Sequence, residues 1–183
     1  AHKMGVRAVN LTWNHPNALS GTNAKEQDRG LSEQGRAFVR EMDALGMLVD
    51  VSHLSDPGFW DVIEVSTRPI IATHSNSRSV FFNTIIKKNG VAGLNMYAGF
   101  LGEAPDIDTV IAHLERFLSL GGERNVALGG DWDGCTRLPE GIGGIQDMDK
   151  LYEALLRRNY SEELVRGLFY TNLMRVVNEV CNM

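Results

Sequence analysis

Cysteine is scarce in this chain. Among 183 residues there are two, Cys135 and Cys181, far apart and not spaced as a metal-binding pair. A reducing, cytoplasmic compartment is the simpler reading of that usage. Positive charge is also short: 18 Lys and Arg stand against 23 Asp and Glu, a net charge of −5. That balance argues against a nucleic-acid partner, which requires a basic face. No apolar run reaches the roughly 20 residues of a transmembrane segment. No secretory leader is recognisable, and residues 1–5 read as the tail of a helix. What is present is an ordinary globular composition, 43% hydrophobic and 22% charged, enough for a single domain over 1–183 with a substantial core.

Two short apolar stretches organise the rest. Residues 47–53 and 69–74 are rich in Val and Ile, and each ends on a histidine, His53 and His74. Runs of this length bounded by turn residues read as buried strands. Residues 6–13 alternate as a strand, and 14–30 form a turn-rich loop. A helix follows, with Ser32 as N-cap, Phe38, Met42 and Leu45 as its apolar face and Gly46 as its stop. Asp56-Pro57 opens a second helix, with Pro at its first position and Phe59, Val62, Ile63 and Val65 inward. Phe82, Ile85 and Ile86 mark a short helix that ends near Gly90. Residues 91–97 are a strand, 108–120 an amphipathic helix with Val110, Ile111, Leu114, Phe117 and Leu118 inward, and 125–131 the last strand. A Gly- and Pro-bearing loop over 134–144 precedes helices at about 148–159 and 161–180.

Five strands alternating with helices predict an α/β fold with a parallel sheet and helices outside it. Trp13, His53, His74, Tyr97 and Asp131 each fall where a strand meets its following loop. In a (β/α)8 barrel that is the catalytic face. A doubly wound sheet is the alternative, but no Gly-x-Gly-x-x-Gly turn supports a dinucleotide site.

His53 and His74 are candidate metal ligands, imidazole being a common donor for zinc; the plainer alternative is two satisfied strand-end histidines. Two ligands do not complete a zinc site, which takes four donors. Asp131, after Gly129-Gly130, is placed to take a proton from an attacking water; Asp133 reads more simply as capping the Asp-Gly turn. Tyr97 can donate its hydroxyl to a substrate oxyanion, or serve as an interface aromatic. Asp50, inside a buried strand, is expected to hydrogen-bond a neighbouring strand end. His15 reads as a surface residue. Cys135 has no partner that would act as a base and does not read as a nucleophile.

Several motifs, Gly30-Leu31-Ser32 to Gly35, Leu48-Val49-Asp50-Val51-Ser52-His53-Leu54-Ser55, Thr73-His74-Ser75-Asn76-Ser77, Gly129-Gly130-Asp131-Trp132-Asp133-Gly134 and Leu155-Leu156-Arg157-Arg158-Asn159-Tyr160-Ser161-Glu162-Glu163, resemble in order the membrane (renal) dipeptidase family of zinc metallopeptidases, the bacterial branch most of all. The resemblance implies a (β/α)8 TIM barrel of the amidohydrolase type, with these five strands as strands four to eight, and two zinc ions. It implies His53 and His74 as ligands of one zinc and Asp131 as the catalytic aspartate that handles the proton of a metal-activated water. It places Tyr97, Asp133 and Trp13 on the substrate side, Trp13 standing where relatives have a histidine. The implied substrates are dipeptides, including those with a C-terminal D-residue. The family's His-x-Asp pair and bridging Glu belong to strands that this sequence does not contain. The arginine that grips the substrate carboxylate has no clear counterpart, Arg78 standing too close to its strand. Two other readings stand beside this one. One is a catalytically incomplete barrel module, stabilised by a partner or as a homodimer across an open edge. The other is an amidohydrolase-type enzyme acting on a cyclic amide.

Overall fold

A computed structural model describes residues 1–76 and 78–181. Ser77, part of the motif around His74, lies outside the described residues. The chain forms two compact units. One comprises Ala1–Ala72, Lys88–Gly90 and the chain from Arg175; the other comprises Thr73–Lys87 and Val91–Met174.

In the first unit a single 3-10 turn, His2–Met4, is closed by Gly5 at φ 93°. β1 (Ala8–Asn10), β2 (Leu48–Asp50) and β3 (Ile71–Ala72) then run parallel, with Asn10 opposite Asp50 and Asp50 opposite Ile71. β1 is shorter than the alternation over 6–13 suggests. The reason is Asn10: its Oδ1 accepts the Thr12 N–H at 3.1 Å, a local turn that takes the backbone out of the ladder.

α1 (Glu33–Leu45) begins where expected, with Ser32 Oγ accepting from Gly35 N at 3.0 Å, and ends on Gly46 in the left-handed region. Its buried face differs from the expected one: Gly35, Val39, Met42 and Asp43 point inward, while Phe38 and Leu45 remain exposed. Two features turn the helix. A Cβ on Gly35 would run into the Leu19 carbonyl, so the preceding loop can lie against this face. Asp43 is drawn inward by Ser66 Oγ, Thr67 N and Thr67 Oγ1, at 3.0, 2.7 and 3.2 Å. α2 (Asp56–Val65) is capped by Ser55, which places Pro57 second rather than first; Phe59 and Val62 are buried, and Ile63 and Val65 half-buried.

The second unit holds α3 (Ser79–Lys87), β4 (Val91–Asn95), α4 (Ala98–Leu101), α5 (Ile107–Ser119), β5 (Val126–Gly129), α6 (Met148–Arg157), α7 (Glu162–Arg166) and the start of α8 (Asn172–Cys181). The one-turn helix α4 has no counterpart in the sequence reading. β4 and β5 are parallel, with Asn95 opposite Gly129. β4 is buried along its whole length, as expected of a strand covered on both faces. α5 carries a capping box between Asp106 and Thr109 and buries Val110, Ile111, Leu114 and Phe117. Phe117 meets Phe82 of α3 edge-on, with ring centroids 4.7 Å apart.

The terminal helix is not continuous over 161–180. Between α7 and α8 the chain makes a π turn, Gly167–Thr171. That turn brings Asn172 inward, where its Nδ2 donates to the carbonyls of Glu123 and Val126, each at 2.8 Å.

Candidate functional site

The sequence places its candidate residues at strand ends, and the structure puts most of them just beyond. β2 stops at Asp50, and His53 follows in the left-handed region at φ 65°. For a non-glycine residue that conformation costs about 1–2 kcal/mol, and the surrounding bonds hold it. The His53 carbonyl accepts from Asn23 N at 2.9 Å, and Thr22 forms a bridge with Leu54. Beneath His53 lies the expected partner of a neighbouring strand: Asn10 Nδ2 donates to Asp50 Oδ2 at 3.2 Å and to the Ser52 carbonyl at 2.9 Å. Asp50 Oδ1 in turn accepts from Ser52 N at 3.0 Å. Asp50 is 3% exposed. Trp13 is 64% exposed and lies in the same unit, next to Thr12, whose buried hydroxyl has no hydrogen-bond partner among the described residues.

In the second unit His74 follows β3 by two residues. Thr73 Oγ1 and His74 Nδ1 are 2.8 Å apart. When that contact is an Nδ1–H donating to the hydroxyl, the imidazole lone pair resides on Nε2, the usual arrangement behind a metal-ligating histidine. The Thr73 carbonyl stands over two glycines, and a Cβ on Gly93 or Gly129 would run into it. Ser75 N then donates to the Gly93 carbonyl at 2.8 Å. The bare faces of β4 and β5 are therefore what lets the segment before His74 lie close.

Asp131 sits two residues past the end of β5, half-buried and left-handed at φ 56°. Its Oδ2 accepts from Asn95 Nδ2 at 3.1 Å. Its Oδ1 faces Gly134, where a Cβ would collide with it, and takes no hydrogen bond from the described residues. Asp133 is exposed. Tyr97 precedes α4; its N–H donates to Asn95 Oδ1 at 2.6 Å, and its ring meets Phe100 edge-on at 5.0 Å. Cys135 is half-buried, and burial, then the nearby Asp131 charge, push its thiol pKa up, which agrees with its reading as a non-nucleophile. His15 is exposed, with Nδ1 3.2 Å from Lys25 Nζ.

The structure thus ties Asp131 and Tyr97 to one residue, Asn95, which the sequence reading passed over. An Asn two residues before a strand-end Tyr is a legible turn signal; which carboxylate its amide meets is not. As donors for a metal, imidazole and carboxylate are right in kind. They fall short in number, for among the described residues no three His, Cys, Asp or Glu side chains gather to hold an ion.

Comparisons with known proteins identify the family. The family model described as membrane dipeptidase (peptidase family M19) matches residues 1–183. An uncharacterised protein from the pqqA 5′ region of Klebsiella pneumoniae is 30% identical over 96% of this chain and 73% of its own length. Dipeptidase 3 of Rattus norvegicus is 32% identical over 98% of this chain and 40% of its own. A metallo peptidase from Rhodobacter sphaeroides, solved with a phosphinate mimic of the dipeptide L-Ala-D-Ala, superposes with a TM-score of 0.90 at 29% identity, over 98% of this chain and 57% of that one. The chain thus spans between two fifths and three quarters of the relatives it matches. Its parallel α/β architecture is that of the dipeptidase barrel, and the chain belongs to the membrane dipeptidase family, peptidase family M19.

Proposed function

We propose that this chain supplies strands four to eight of a (β/α)8 metallo-dipeptidase that hydrolyses dipeptides, including those with a C-terminal D-residue. The observation that carries the proposal is Asp131: a carboxylate beyond a strand end, with one oxygen held and the other open, in a chain of this family. The phosphinate dipeptide mimic bound to the Rhodobacter protein supports the substrate class.

His53 and His74 are the imidazoles this chain offers to the family's metal, and zinc suits them with further donors completing the set. A bound metal of this type supplies Lewis acidity toward the scissile carbonyl and the attacking water. Asp131 Oδ1 accepts the proton of that water and passes it to the leaving amine as the peptide C–N bond breaks. Tyr97 donates its hydroxyl to the oxyanion that develops on the carbonyl oxygen. Asp133 and Trp13 lie on the substrate side, where an exposed indole offers an apolar face.

The test is Asp131→Asn in the full-length, metal-loaded protein, assayed on a dipeptide such as L-Ala-D-Ala. We expect kcat to fall by about 10²–10⁴-fold while metal content stays at the wild-type level. Unchanged turnover would remove Asp131 from the reaction.

A further inference from the structure

We propose that Asn95 is a positioning residue that sets both the carboxylate of Asp131 and the backbone of Tyr97. The inference rests on the reading of Asp131 as the proton carrier. Asn95 is the last residue of β4 and is 1% exposed. Its backbone and side chain make three different bonds. Nδ2 donates to Asp131 Oδ2 at 3.1 Å, Oδ1 accepts from Tyr97 N at 2.6 Å, and the backbone N–H donates to Asn76 Oδ1 at 3.2 Å. The Asn76 bond reaches into the loop that follows His74. One buried side chain therefore links the two groups of this unit assigned to proton transfer and oxyanion binding, and its backbone reaches the segment beyond the assigned imidazole.

The side chain is chemically specific. The site needs a donor toward a carboxylate and an acceptor toward a backbone N–H, in a fixed fork one methylene from the backbone. Asparagine supplies both. Aspartate would present only acceptors when ionised and set two carboxylates against each other. Glutamine carries an extra methylene into a buried space. The clamp also explains how Asp131 keeps a left-handed backbone without being glycine: with Oδ2 held by Asn95, the carboxylate has one orientation and Oδ1 is the oxygen left for the proton. A misplacement of about 1 Å at such a group costs on the order of 10²-fold in rate.

The test uses the full-length, metal-loaded protein in two parts. First, Asn95→Ala is assayed on L-Ala-D-Ala; we expect kcat to drop by about 10–100-fold, with KM and metal content within about twofold of wild type. Second, Tm is measured for Asn95→Asp, for Asp131→Asn and for the exchange Asn95→Asp with Asp131→Asn. Asn95→Asp alone is expected to lower Tm. The exchange restores one amide facing one carboxylate and is expected to recover most of that loss, while leaving turnover low because the carboxylate is now on the wrong strand. The recovery is a coupling that a residue of general structural value does not produce. Wild-type kcat in Asn95→Ala, or an exchange variant no more stable than Asn95→Asp, overturns the proposal. A Tm recovery accompanied by wild-type turnover in Asp131→Asn overturns the reading of Asp131 instead, and with it the catalytic purpose of a clamp shown to exist.

Discussion

Asn10 in the first unit and Asn95 in the second are built alike. Each is the last residue of a strand. Each accepts the N–H two residues on, from Thr12 at 3.1 Å and Tyr97 at 2.6 Å. Each donates its amide to an aspartate on the adjacent parallel strand or just past it, at 3.2 and 3.1 Å. The aspartates differ by their place in the register. Asp50 stands directly opposite Asn10, inside β2, and both its oxygens are engaged. Opposite Asn95 stands Gly129, and the carboxylate comes two residues later, outside the ladder, with a single oxygen engaged. The same amide thus closes one strand end and leaves the other chemically open. What separates the two aspartates here is a two-residue offset in the register.

The comparison can be broken at either end. Asp50→Ala strips a partner from the buried Ser52 N–H, at about 1–3 kcal/mol for a buried group left unsatisfied, and another from the amide of Asn10, which is exposed and can turn to water. We expect a total of roughly 1–3 kcal/mol in urea unfolding, and a loss of the same order for Asp131→Ala, which bares the amide of the buried Asn95. A loss at one aspartate several-fold above that at the other would mean that the two pairs do different work. Gly129→Ala is expected to cost about 1–3 kcal/mol, because its Cβ meets the Thr73 carbonyl, a backbone atom that cannot swing aside; thermal unfolding reads this directly. The smallest effect lies at Cys135. Burial and the Asp131 charge both raise its pKa, so alkylation by iodoacetamide should set in at higher pH than for a free thiol. In Asp131→Asn the onset should move part of the way back down, since the charge is removed and the burial stays. An unmoved curve would mean that Asp131 exerts no field on the thiol.

Much of this was legible from sequence because it is local. Ser32, Gly46 and Asp56-Pro57 mark helix ends through bonds reaching no further than three or four residues, and the structure places those ends within a residue of the marks. The alternation of strands and helices shows the parallel architecture for the same reason. The inward face of α1 was not legible: Gly35 and Asp43 look like surface residues until Leu19 and Ser66-Thr67 arrive from elsewhere in the chain. Strand ends were overestimated at Trp13, Tyr97 and Asp131, since apolar patterning continues after the ladder has stopped and the asparagine that stops it has a polar rather than periodic signal. Asn95 escaped notice for that reason, although His53, His74 and Asp131 stood out by type and place.

The π turn at Gly167–Thr171 adds a consequence of phase. An α-helix advances about 100° per residue, so a helix with one residue more or fewer in that turn would present a different side chain to β5. At present Asn172 is the residue in phase, and its amide occupies the carbonyls of Glu123 and Val126. Deleting a single residue between 167 and 171 would let the segment relax to regular α-helix, rotate Asn172 off its two carbonyls and leave both bare at the entrance to the strand that leads to Asp131. The irregular turn therefore works as a phase-setter, and the chain should tolerate substitutions within it far better than any change in its length.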